Sequence, residues 1–105
     1  MRKAVLPPHY LMFRNRYKRL ADAMDEMGKA SHQEGPLDEK TAQLIQLAAA
    51  ASIHSEGGVH SHVRRAQEAG AGVDEIRHAV LLLTTTVGFP TTMAALSWVE
   101  DVLQE

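Results

Sequence analysis

Apolar residues recur along this chain with a helical period, and no segment alternates apolar and polar with period two. The pattern predicts an all-α fold, a compact helical domain of about five to six helices. Residues 1–8 read as an extended N-terminal lead that closes on Pro7-Pro8. A first helix is predicted from about His9 to Lys29, with Leu11, Met12, Tyr17, Leu20, Met24 and Met27 close to one face. Gly35-Pro36 punctuates the loop that follows. Asp38 is an N-cap candidate for a second helix, about Glu39–Ile53, with Leu44, Leu47, Ala48 and Ala51 on one side. Glu56-Gly57-Gly58 breaks the pattern before or within the first turn of a third helix. That helix carries Val59, His62, Val63, Ala66 and Ala69 as a stripe and stops at Gly70.

Asp74 and Glu75 open a fourth helix, where the helix dipole favours acids. Its body, Ile76–Val87, is apolar nearly all round, which predicts burial on every side and, in so small a chain, cover from a second copy. Gly88-Phe89-Pro90 makes a sharp turn, and Pro90 suits the first turn of a last helix ending near Leu103.

Length adds a bound to this pattern. The 105 residues make one domain, 1–105, which buries a real core but only a modest share of its surface, so self-association adds useful burial. The chain has no cysteine, which excludes disulfides, thiolate nucleophiles and cysteine metal sites and fits a reducing compartment; a cytoplasmic location is expected. No apolar run is long enough to span a bilayer and no signal-peptide pattern is seen, so no membrane partner is expected.

Charge is uneven. Residues 1–19 carry Arg2, Lys3, Arg14, Arg16, Lys18 and Arg19 with no acid, a net +6, while the rest carries net −8. A basic arm of this kind can bind nucleic acid. Tyr10, Leu11, Met12, Phe13 and Tyr17 are interleaved with these charges as apolar anchors. They favour packing against an acidic face of the same or a neighbouring subunit, and no nucleic-acid partner is expected. Among the histidines, His60 and His62 stand two apart on a helix and point about 200° from each other, so they do not share an ion. No carboxylate stands at ligand spacing from His62, and no metal site is expected.

The order GPLDEKTAQLIQLAAA, a short break, then HSHVRRAQEAGAGVDEIRHAVLLLTTTVGFPTTMAAL resembles the carboxymuconolactone decarboxylase family. That superfamily includes alkylhydroperoxidase D-like proteins. The similarity covers roughly Gly35–Val102 and implies the alkylhydroperoxidase D-like fold in a helix-mediated homo-oligomer, a trimer or a hexamer. In the peroxidase branch a cysteine pair precedes the histidine as C-x-x-C-x-x-x-H; the matching positions here are Ser55 and Gly58. A serine hydroxyl is poorly ionised and forms no disulfide, so thiol-dependent peroxide reduction stands last among the readings. That branch also has a glutamate where this chain has Gln43.

The decarboxylase branch needs no cysteine. By resemblance it implies cofactor-free, lyase-type acid–base chemistry on a small carboxylate or lactone. Such chemistry needs a group to hold the carboxylate, stabilisation of an enolate and a positioned proton donor. The resemblance makes His62 the candidate proton donor and acceptor, with Gln43 and Ser55 to orient it or to donate to an oxyanion. Arg64 or Arg65 would anchor the carboxylate, and Glu56 would be a second acid–base group. The alternative is a member without catalysis, serving as an oligomeric scaffold or binding protein.

Overall fold

The residues that begin and end each helix are legible in the hydrogen bonds of the computed structural model, which describes residues 6–105. The chain divides into two units, Met1–Leu37 and Asp38–Glu105. No strand occurs among the described residues.

The first unit holds α1 (Pro8–Arg16) and α2 (Lys18–Gln33). The single helix expected over His9–Lys29 is therefore two, parted at Tyr17, whose backbone leaves the helical region at φ −119°, ψ 58°. An ion pair explains what the break gains. Arg14 on α1 pairs with Asp25 on α2, eleven residues that a continuous helix would hold about 16 Å apart along its axis. Phe13 stacks on Tyr10 and meets Tyr17 at a tilt, with ring centroids 6.5 and 5.8 Å away. Pro7 is extended and Pro8 already helical, so the expected lead ends one residue early; its residues 1–5 lie outside the described residues. Leu20, Met24 and Met27 share one stripe of α2 and are 54%, 49% and 68% exposed.

The second unit packs four helices round one core: α3 (Glu39–Ser52), α4 (Glu56–Glu68), α5 (Val73–Leu81) and α6 (Phe89–Leu103). Leu47 and Ala51 of α3, Val59 and Val63 of α4, Ile76 and Val80 of α5, and Val99 and Val102 of α6 are wholly buried. Each full burial of a branched aliphatic side chain stabilises by about 1.5–3 kcal/mol. Asp38 caps α3 by accepting from Thr41 N at 2.8 Å, and the Thr41 side chain, then its backbone N–H, hold the Asp38 carboxyl below the usual range. Glu75 closes the start of α5 by accepting from Gly72 N at 2.8 Å. Gly70, at φ 95°, ends α4 in the left-handed conformation, with Ala71 N bonded to Ala66 O and Gly70 N to Gln67 O.

The fourth expected helix is shorter than the apolar run. It stops at Leu81 and tightens into a 3-10 turn over Leu82–Thr85. The β-branched run Thr84–Thr86 is a poor helix former, and Thr86 Oγ1 bonds back to Leu82 O. Within one chain Ile76, Val80 and Leu83 face the core, while Leu81 and Leu82 are 49% and 60% exposed, the side for which cover from a second copy was expected. Leu82 belongs to an open groove of about 410 Å³ between α3 and α5, lined by Leu44, Ile45, Ala48, Ala79 and Leu83, with Thr41, Glu75, His78 and Thr86 completing it.

Candidate functional site

His62 stands in the second turn of α4, on the side that meets α3. Close approach of the two helices begins with small residues. A Cβ on Gly58 would lie 2.7 Å from Ser55 Oγ and 3.0 Å from Ala50 Cβ, so glycine lets the first turn of α4 seat closely against the end of α3. Val59 and Val63 then anchor that face in the core. His62 lands beside Gln43 of α3.

The contact is His62 Nδ1 to Gln43 Oε1 at 2.8 Å, and Gln43 Nε2 donates to Glu39 Oε1 at 2.9 Å. Chemistry orders this relay. A carboxylate only accepts, so Gln43 presents its NH2 group to Glu39 and its carbonyl to His62. Nδ1 therefore carries the proton, and in the neutral ring the basic lone pair sits on Nε2. Gln43 is 3% exposed, which holds the amide and with it the imidazole plane. Glu39 is a residue that sequence reasoning missed. Its signal was the i, i+4 spacing to Gln43, which puts both on one helix face.

The other candidates make different contacts. Ser55 is the N-cap of α4, its Oγ accepting from Gly58 N at 3.1 Å. Arg64 binds the carboxylate of Glu105 through Nη2 at 2.6 Å and Nε at 3.4 Å, and Arg65 is exposed in the last turn of α4. Glu56 is exposed in the first turn and lies 4.0 Å from His60 Nε2, which meets Asp101 Oδ2 at 3.0 Å. Among the described residues, Glu56, His60 and Asp101 are a group whose ligand atoms converge within 4.8 Å. The i, i+4 pair Glu56–His60 was its readable half; Asp101, forty-one residues away, gave no local signal. With Arg64 and Glu105 these residues form a ladder of charges between α4 and α6. Arg77 and Glu100 join α5 to α6 in the same way, at 2.7 and 3.1 Å.

His54 adds a backbone outlier. It follows α3 in the left-handed region at φ 59°, where glycine is usual, and its Nε2 lies 3.3 Å from Thr91 Oγ1. The α3–α5 groove is lined by neither His62 nor Gln43.

Comparison with known proteins agrees with this architecture. The family model described as the carboxymuconolactone decarboxylase family matches residues 18–101. The crystal structure of an apo carboxymuconolactone decarboxylase family protein from Legionella pneumophila superposes with a TM-score of 0.78 at 23% identity, covering 91% of this chain and 86% of that one. No curated protein gives a significant match. At that identity the structural likeness speaks for the fold, while the family model spans most of the sequence. The chain belongs to the carboxymuconolactone decarboxylase family.

Proposed function

We propose that the protein performs cofactor-free acid–base chemistry of the lyase type on a small carboxylate or lactone, with His62 moving the proton, as a homo-oligomer. The observation that carries this reading is the Glu39–Gln43–His62 relay, at 2.9 and 2.8 Å. A carboxylate likewise orients the imidazole of a catalytic triad; here the carboxylate, Glu39, is exposed and a buried amide stands between it and the ring. Gln43 orients and does not relay protons, so the proton enters and leaves at Nε2. In a decarboxylation the C–C bond to the carboxylate breaks, its electron pair passes into an enolate, and an imidazolium returns one proton to carbon. Thiol chemistry is closed, since the chain has no cysteine.

Turnover of a panel of lactone acids and β-keto acids tests the reading. The expected result is measurable decarboxylation by the wild type and a loss of about 10²-fold or more in His62→Ala, the usual contribution of a positioned acid or base. A second reading, an oligomeric scaffold without catalysis, draws support from Arg64. Its guanidinium fork is occupied by Glu105, so this candidate carboxylate anchor is engaged within the chain. Rates at the uncatalysed background in both wild type and His62→Ala would select the scaffold, and equal rates above it would remove His62 from the chemistry.

A further inference from the structure

His60 and His62 turn to different neighbours of α4. His62 meets α3 through Gln43, while His60 turns to α6, where its Nε2 lies 3.0 Å from Asp101 Oδ2. The same nitrogen lies 4.0 Å from Glu56 Oε2, one turn earlier on the same face of α4. The three ligand atoms are all within 4.8 Å of one another. Ligands placed tetrahedrally at about 2.0–2.1 Å from an ion stand about 3.3 Å apart. The two distances to His60 bracket that spacing, and Glu56 completes the shell by closing about 1–1.5 Å. Its side chain is 58% exposed and that of Asp101 57%, so both have room to turn, while His60, at 22%, is held.

Charge and donor chemistry select the occupant. Two carboxylates converge on one imidazole, and among the described residues neither is paired with a lysine or an arginine. Arg64, one turn beyond His60, is taken by Glu105 at 2.6 Å. A dication offsets both carboxylates at once. Imidazole suits zinc, copper, nickel and iron, whereas magnesium and calcium ions take oxygen shells. A carboxylate only accepts, so in the free chain His60 Nε2 carries the proton shared with Asp101. An ion takes that proton's place: in a neutral ring the proton shifts to Nδ1, and from an imidazolium one proton leaves to solvent.

We propose that Glu56, His60 and Asp101 hold one divalent transition-metal ion of the zinc type, which clamps α4 to α6 and keeps its remaining coordination position for water. Sequence spacing predicts no such site, because Asp101 enters from forty-one residues away. The clamp faces α6 rather than the Gln43 contact, and it stands whether or not His62 moves a proton.

Calorimetric titration of the EDTA-treated protein with zinc chloride tests the site. The expected result is one zinc ion per chain, no binding of magnesium, and a thermal midpoint that rises with zinc and returns with EDTA. His60→Gln and Asp101→Asn should each weaken zinc binding by about tenfold or more, since loss of an outer-shell partner alone costs about 10–100-fold. Circular dichroism checks that both variants keep their helical content. His78→Ala, which removes an exposed histidine outside the cluster, should bind as the wild type does. Zinc affinity unchanged by both ligand variants would mean an adventitious ion held elsewhere. No zinc binding by the wild type would leave the cluster a proton-bridged ion pair. Either result overturns the proposal.

Discussion

Gly57 and Gly58 are adjacent in sequence and opposite in environment. A Cβ at Gly57 meets nothing within 4 Å, whereas one at Gly58 meets Ser55 Oγ at 2.7 Å and Ala50 Cβ at 3.0 Å. Gly57→Ala should therefore stabilise by about 0.5–1 kcal/mol through helix propensity. Gly58→Ala should destabilise by about 1–3 kcal/mol, the range for an overpacked contact, because the Ala50 methyl cannot swing away. Urea midpoints of the two variants decide it, and shifts of the same sign would refute the close-approach account. The same scale governs His62. Gln43→Glu replaces a neutral acceptor with a carboxylate at hydrogen-bonding distance, which favours the imidazolium. An NMR titration of the His62 ring protons should move to higher pH by about one unit or more; no movement would mean that residue 43 does not face the ring. His62 and Gln43 were legible as a pair from the resemblance, and Glu39 was within reach through its spacing. The engagement of Arg64 was not, because Glu105 is forty-one residues away and only the packing of α6 on α4 brings it there.

At the scale of elements, carboxylates with depressed pKa values cap helix starts and fasten one helix to the next. Backbone donation from Gly72, then Lys40, lowers Glu75; the Arg77 guanidinium lowers Glu100; the Thr41 contacts lower Asp38. A carboxylate lower in the folded than in the unfolded state adds stability above its unfolded value, and that stability is lost as pH falls through the folded one. The unfolded values are near 3.8 for Asp and 4.5 for Glu, so the urea midpoint should hold down to about pH 4.5 and then fall. The combined Asp38→Asn, Glu75→Gln, Glu100→Gln variant should be less stable at pH 7 and should lose less of its stability on acidification. An unchanged slope would remove these contacts from the acid response. Element starts such as Asp38, Asp74-Glu75 and Pro90 were legible because caps act within one turn. The stop of α5 at Leu81 was not: its apolar run continues to Val87, and the turn that follows closes through backbone bonds from Thr86, Val87 and Gly88 to Leu83 O. The break at Tyr17 was hidden likewise, since its compensation, Arg14 to Asp25, forms only once the chain has turned.

At the scale of the whole molecule, the residues left uncovered set how the protein responds to dilution. If copies associate through the exposed stripe of α2, folding and association are linked. Binding that occurs only in the native state raises stability with ligand concentration, and here the ligand is the protein itself. The thermal midpoint should therefore rise with protein concentration in the wild type. Met24→Glu places a charge at the centre of the stripe, 49% exposed in the chain, so it should leave helical content intact while abolishing that concentration dependence.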